Sequence, residues 1–349
     1  MTETKNPTRT ELSELGEFEL IKLLTKDFGI KNKSTIKGVG DDGAIISNTE
    51  KQTVVSSDML IEGIDFDMTY TPLRHLGYKA VAINLSDIAA MNATPKQITV
   101  NIAVSNRFSV EALNEFYAGV YLACERYDVD LVGGDTSSSP SGMFISITAI
   151  GEVDADKITY RNGANIHDLI CVSGDLGSAY SGLLILEREK VTYKANPNYQ
   201  PDLASYDYVL ERYLKPEPRL DIIKFLAEKN IVPTSMIDVS DGLASDMMQI
   251  CKASNVGCEV YEEKIPIDYA TTMVCSQFGE MLPVSNALNG GEDYELLFTI
   301  KQSDYEKIKD SKEIHIIGHI TDKNSGINMV TPQNTTIQLR AQGWKENED

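Results

Sequence analysis

Aspartates recur in this sequence where apolar runs give way to small residues. They stand as Asp41 and Asp42 in GVGDDGA, Asp58 in VVSSDML, Asp87 in NLSDIAAM, Asp135 in LVGGDTSSS, and Asp238 and Asp241 in IDVSDGLASD. A single aspartate after Gly or Ser is typical of a helix cap or a turn. Recurrence at five places favours one shared site, because strand ends in an open α/β fold converge on one crevice.

Several carboxylates in one crevice would repel one another and raise one another's pKa unless cations separated them. Mg²⁺ prefers oxygen ligands and commonly completes its shell with substrate phosphates. The aspartates therefore predict a magnesium site. The chemistry that such a site supports is phosphoryl transfer, in which metal ions neutralise charge and the protein positions the reactants.

The common nucleotide-binding motifs are missing. GVGDDG (38–43) matches G-x-G-x-x-G, but neither a buried strand before it nor a helix start after it is evident, so it does not indicate a dinucleotide site. GGDTSSSP (133–140) could approach phosphate through backbone N–H groups or form a plain surface turn. GGEDYELLF (290–298) places Glu292 on a charged glycine turn that enters a strand.

The overall charge excludes some partners. The 349 residues include 32 Lys and Arg against 52 Asp and Glu, a formal net charge of −20. Nucleic acid and anionic membranes are therefore disfavoured as partners. We expect a cytoplasmic protein, since no stretch of about 18 apolar residues occurs and the five cysteines form no C-x-x-C pair.

Strand-like and helix-like runs alternate, which predicts an α/β (α+β) fold. Strands are predicted at 53–60, 98–104, 144–153, 168–174, 235–240, 294–300 and 314–320. Helices are predicted at 12–28, 73–91, 109–127, 177–189, 207–214, 219–229 and 242–254. The length suggests two domains, which we place at 1–165 and 166–349. The segment 191–207 is predicted as a loop, and AINLSDIAAM (82–91) resembles MIDVSDGLAS (236–245) as a strand end that opens a helix.

An ordered set of motifs runs along nearly the whole chain. The motifs are GEFELI, GVGDDGA, SSDMLIEGIDF, YKAVAINLSDIAAMNATP, GGDT, ITYRNGA, KPEPR, IDVSDGL and GGEDYEL. This ordered set resembles the thiamine-monophosphate kinases, a family in one superfamily with aminoimidazole ribonucleotide synthetase, selenophosphate synthetase and the hydrogenase-maturation dehydratase. The resemblance implies two α/β domains with the nucleotide between them, the first supplying a sheet that pairs with its copy in a homodimer.

The resemblance also implies residue roles. Magnesium ligands would be Asp42, Ser56, Ser57, Asp58, Asp87, Asp135, Asp238 and Asp241, with Asp58, Asp87 and Asp135 central to catalysis. ATP contacts would be Gly134, Asp135, Arg161 and Ser240, and contacts to thiamine would be Glu292 and Trp344. Where the family reads E-G-x-H-F, this chain has Asp65. Asp65 either accepts hydrogen bonds from the aminopyrimidine or points to solvent.

The implied activity is direct in-line transfer of a phosphoryl group from ATP to thiamine monophosphate, which gives thiamine diphosphate. Two alternatives stay open. One is another ATP-dependent reaction of the superfamily, such as that of aminoimidazole ribonucleotide synthetase. The other is a noncatalytic sensor of nucleotide or metal.

Overall fold

A computed structural model describes residues 35–37, 40–47, 51–201, 203–279 and 281–341 of the chain. The predicted helix at 12–28 and Trp344 lie outside these residues. In the described part of the chain, no helix is both long and apolar enough to cross a membrane.

The first part of the described chain forms a six-stranded sheet with two helices. In chain order its elements are β1 (Thr35–Lys37), β2 (Ala44–Ser47), β3 (Lys51–Ile61), α1 (Leu73–Ala90), β4 (Thr94–Val104), α2 (Val110–Tyr127), β5 (Asp130–Ser138) and β6 (Met143–Asp154). The strand order is β1-β2-β3-β6-β4-β5. Only β4 and β5 run parallel among these pairs.

Side-chain alternation fixes which face of this sheet is covered. Buried and less buried residues alternate along the whole of β6, as expected for a strand with one face in a core. Helix α1 is buried along most of its length, and it crosses α2 at two glycines. A Cβ on Gly77 would lie 2.0 Å from the carbonyl oxygen of Phe116, and one on Gly119 would lie 1.9 Å from that of Arg74. The two helix backbones can therefore touch only because both positions lack a side chain.

The second part forms a seven-stranded sheet with more helices around it. Its elements are β7 (Leu169–Ser173), α3 (Ser178–Ala195), α4 (Asp207–Leu214), α5 (Leu220–Glu228), β8 (Ser235–Asp238), α6 (Leu243–Ser254), β9 (Gly257–Tyr261), α7 (Tyr269–Cys275), α8 (Pro283–Asn289), β10 (Leu296–Ile300), α9 (Tyr305–Ile308), β11 (Ile314–Thr321), β12 (Ile327–Val330) and β13 (Thr336–Gln338). Short 3₁₀ turns cover Glu262–Lys264, Gln302–Asp304 and Lys323–Ser325. The strand order is β13-β12-β9-β11-β7-β10-β8.

The predicted fold class is confirmed, and all seven predicted strands are present. Two expectations were wrong. AINLSDIAAM is not a strand end, because all but its last residue lie inside α1, whose apolar residues are buried on several sides. The loop expected from 191 begins later, because α3 continues to Ala195. Of the two possibilities left open for 133–140, the plain surface turn is excluded, since residues 133–138 belong to β5, which pairs with β4. The domain division near residue 165 stays a prediction; it falls between β6 and β7.

Candidate active site

Three carboxylates from distant parts of the chain meet where α1 packs against β8. Asp42 lies just before β2, Asp87 lies in the last turn of α1, and Asp238 ends β8. One carboxylate oxygen of each lies within 4.8 Å of the others. We call these three residues the aspartate cluster. Both sheets are largely antiparallel, so convergence of parallel strand ends, on which the sequence argument relied, is not what assembles it.

Burial and mutual repulsion govern the charge of the aspartate cluster. Burial raises the pKa of Asp87 well above its ordinary value, and the charges of Asp58, Asp238 and Asp42 raise it further. Burial, with a further contribution from Asp42, raises the pKa of Asp238 to about 7. Hydroxyl donors act in the opposite direction: Ser56 donates to Asp87, and Ser86 donates to Asp238 at 2.7 Å. The cluster therefore favours binding a proton or a cation.

Strand β3 adds Ser56 and Asp58 to this group. Successive strand residues point to opposite faces, and the Ser56 hydroxyl already contacts Asp87. Asp58 shares that face, which agrees with its effect on the pKa of both Asp87 and Asp238. Its backbone N–H donates to the Asn84 side chain at 3.0 Å, which fixes this part of β3 to α1.

Arg161 places a positive charge beside the cluster. Its guanidinium donates two hydrogen bonds to the Asp42 carboxylate, at 2.8 Å from Nε and 2.6 Å from Nη2. The charges of Asp42 and Asp41 raise the pKa of Arg161, against the effect of burial. This two-pronged geometry suits carboxylate and phosphate equally well.

A turn between β8 and α6 carries Ser240 and Asp241. Asp246 holds this turn: its buried carboxylate accepts hydrogen bonds from the backbone N–H groups of Asp241 at 3.3 Å and Gly242 at 3.1 Å. Sequence reasoning missed Asp246, although it stands in the same motif, IDVSDGLASD. It also missed Ser86 and Asn84, whose only signal was their position next to Asp87.

Two of the residues expected at the thiamine end, Glu292 and Asp65, lie beyond this turn. The backbone N–H of Glu292 donates to the carbonyl of Ser240 at 2.8 Å, and its carboxylate pairs with the Lys79 ammonium. The Asp65 carboxylate accepts the backbone N–H of Ile61 at 2.7 Å. Burial raises the pKa of Asp65; the Glu292 charge adds to this, and Lys79 opposes it. Asp65, Lys79 and Glu292 are thus close neighbours.

Ser57, Gly134 and Asp135 are not brought to the aspartate cluster within one chain. The Ser57 hydroxyl donates to the carbonyl of Ile147 at 3.1 Å, on the sheet face opposite Ser56. Asp135 lies exposed on the edge strand β5, on the same outer face as Met59, Asn101 and Ser146. The paired residues place it three strands from Met59, about 14 Å at the usual strand spacing.

Gly134 lies on that edge strand at a position that only glycine fits. Its φ is +153°, and a Cβ there would lie 1.9 Å from the carbonyl oxygen of Val100 on the adjacent strand. A larger residue would therefore disturb the pairing of β5 with β4 next to Asp135.

Comparisons with known proteins agree with this geometry. A family model described as AIR synthase related protein, N-terminal domain, matches residues 40–153. Thiamine-monophosphate kinase of Buchnera aphidicola subsp. Schizaphis graminum is 35% identical over 93% of this chain and 97% of its own length. That of Bacillus subtilis is 31% identical over 95% and 99%. The solved structure of AaThiL complexed with AMPPCP and TMP superimposes with a TM-score of 0.80 at 30% identity, covering 95% of this chain and 97% of that one. The chain belongs to the thiamine-monophosphate kinase family.

Proposed function

We propose that this protein transfers the terminal phosphoryl group of ATP to thiamine monophosphate, which gives thiamine diphosphate and ADP. The observation that carries the proposal is the aspartate cluster beside Arg161, in a chain of this family. AaThiL was solved with AMPPCP and TMP, and we carry both ligand types over to this chain. The free, buried cysteines support a reducing compartment such as the cytoplasm.

The aspartate cluster fits Mg²⁺ by its donor atoms. Carboxylate and hydroxyl oxygens are the ligands that this ion prefers, and buried carboxylates at this separation repel one another without a cation. We propose that several Mg²⁺ ions are held by a subset of these residues: Asp42, Ser56, Ser57, Asp58, Asp87, Asp135, Asp238 and Asp241. When bound, Mg²⁺ supplies charge neutralisation for two reacting anions.

The chain's own residues then need only to bind and align the reactants. The phosphate of thiamine monophosphate is already largely ionised at neutral pH, so its attack on the γ-phosphorus requires no strong general base. Arg161 offers phosphate the same fork that it offers Asp42, and Ser240 adds a hydroxyl on the next turn. We propose Gly134, Asp135, Arg161 and Ser240 for ATP, and Asp65, Glu292 and Trp344 for thiamine.

We further propose that the protein is a homodimer joined through the outer face of the first sheet. Met59 on this face keeps 59% of its surface exposed and Phe144 keeps 36%, which is unusual for large apolar side chains on a central part of a sheet. Ser57 and Asp135 project to the same face. Pairing this face with its copy would let the partner's Asp135 serve a site that one chain cannot complete.

A mixed-dimer experiment tests this arrangement. Asp135→Asn and Asp87→Asn should each be inactive alone. If Asp135 acts across the interface, co-refolding equal amounts restores about a quarter of wild-type activity, because half of the dimers are mixed and each holds one intact site. If Asp135 acts within its own chain, every mixed site carries one defect, and no recovery would contradict the arrangement across the interface.

The activity itself is tested with purified protein, ATP, Mg²⁺ and thiamine monophosphate. We expect thiamine diphosphate and ADP in equal amounts, and neither when a chelator removes the metal. Release of inorganic phosphate without thiamine diphosphate would overturn the proposal. Binding of ATP without any turnover would favour a noncatalytic sensor instead.

A further inference from the structure

Lys79 on helix α1 is a buried cation. Only 3% of its surface is exposed. Its ammonium pairs with the Glu292 carboxylate, donates to the carbonyl oxygen of Tyr213 at 3.1 Å, and lies 4.0 Å from the centre of the Tyr213 ring. These contacts with Glu292 and Tyr213 hold the Lys79 ammonium in place.

Glu292 lies in a turn with positive φ angles and has other carboxylates around it. Gly291, Glu292 and Tyr294 all have positive φ, at +67°, +63° and +51°, a conformation that costs free energy in residues other than glycine. The charge of Glu292 raises the pKa of both Asp65 and Asp241, so these carboxylates lie close to it. The Lys79 ammonium, which pairs with Glu292, offsets these negative charges.

The ion pair is a poor source of stability alone. Lys79 is buried, whereas the Glu292 side chain keeps 31% of its surface exposed, and burying the lysine costs about as much as its attraction to Glu292 returns. What the pair supplies is a fixed geometry for the Glu292 carboxylate. Its location suits that role, because Lys79 and Asp87 both lie on α1, about 12 Å apart along the helix axis.

We propose that Lys79 is a positioning residue that holds the Glu292 carboxylate where it receives the thiamine end of the substrate. The inference rests on the proposed function. It assigns substrate affinity at this end of the site to a lysine whose contacts are with Glu292 and Tyr213 and not with the aspartate cluster.

The test compares Lys79→Met, Glu292→Gln and the double variant by steady-state kinetics. Lys79→Met keeps the length of the side chain and removes its charge. We expect its KM for thiamine monophosphate to rise about 10- to 100-fold, with the KM for ATP within about twofold and kcat within about threefold of wild type. In the Glu292→Gln background, Lys79→Met should add less than about threefold, because both changes remove the same contact.

Lys190→Met is the matched control. Lys190 lies on α3 and, like Lys79, is paired with carboxylates, at 2.9 Å from Asp67 and 2.8 Å from Glu187. Its pair with Asp67 joins α3 to the segment before α1. We expect it to leave both KM values within about twofold, since it has no contact with Glu292. Equal effects of Lys190→Met and Lys79→Met would show that Lys79 is only a tether, and would overturn the inference.

The outcomes separate this inference from the proposed function. If wild-type protein forms no thiamine diphosphate, the proposed function fails. If wild type is active, either of two results for Lys79→Met overturns the inference alone: an unchanged KM for thiamine monophosphate, or an equal rise in both KM values. Effects of Lys79→Met and Glu292→Gln that multiply in the double variant would overturn it as well. Should Lys79→Met not fold, Lys79→Gln takes its place with the same expectations.

Discussion

Replacing Asp87 by Asn should separate the activity of this protein from its stability. Asn keeps the size of the side chain and can still accept the hydrogen bond from Ser56, but it removes one charge from the aspartate cluster. Two carboxylates no more than 4.8 Å apart repel each other by about 3 kcal/mol or more at an effective dielectric constant of about 20. Partial protonation of Asp87 and the nearby Arg161 charge reduce this repulsion.

We therefore expect the metal-free variant to be more stable than wild type by about 1–2 kcal/mol, as functional carboxylates are commonly kept at a cost in stability. We expect kcat to fall by about 10³ or more, comparable to the loss of a major electrostatic element. Denaturant unfolding with a chelator present measures the first effect, and the thiamine diphosphate assay measures the second. Asp310→Asn, at an exposed position, is the control and should change neither.

Two results would refute this reasoning. Near-normal turnover with an unchanged Mg²⁺ dependence would remove Asp87 from the metal site. A metal-free variant less stable than wild type would show that Asp87 supports the fold, and that repulsion within the cluster is not the dominant effect.

Three more predictions follow from the geometry. The pKa of Asp238 is about 7 in the folded chain against an ordinary 3.8, so between these two pH values the folded state binds a proton that the unfolded state does not. The stability of the metal-free protein should therefore fall as pH rises from about 4 to about 7. A urea midpoint that stays constant or rises over this range would contradict this prediction. Asp65→Ala should raise the KM for thiamine monophosphate about fivefold or more and leave the KM for ATP unchanged. If both KM values stay unchanged, Asp65 only accepts the hydrogen bond from the Ile61 backbone and does not contact the substrate. Gly119→Ala should destabilise the protein by about 3 kcal/mol, because its Cβ would lie 1.9 Å from the Arg74 carbonyl oxygen; a melting temperature equal to that of wild type would be inconsistent with this helix crossing.

Much of the fold could be predicted from local pattern. The alternation in β6 and the apolar runs of β7, β10 and β11 are period-two or fully buried patterns that sequence reveals directly. Strand β5 could not be predicted this way, because its residues are almost all exposed and its order comes from backbone pairing with β4. The last strand, β13, has only three residues, all exposed, and carries no pattern.

Asp42, Asp87 and Asp238 do meet, but Asp87 comes from the last turn of helix α1 and not from a strand end. That these residues bind metal stays a prediction. Asp135 was predicted by the same reasoning, yet the pleat of the sheet turns it to the other face. A shift of one residue in a strand reverses the face, and no local signal in GGDTSSSP reports it.

The sequence by itself determined the chemistry that is available here: hard oxygen donors in repeated short motifs, an acidic balance, and the ordered set of motifs that marks the family. The tertiary structure decided which of those groups act together. Lys79 shows why. In YKAVAINL it looks like an exposed lysine on a helix, and only the packing of α1 against the turn that carries Glu292, 213 residues further along the chain, makes it a buried partner. Charges interact through space, and which ones become neighbours depends on long-range packing that short motifs do not encode.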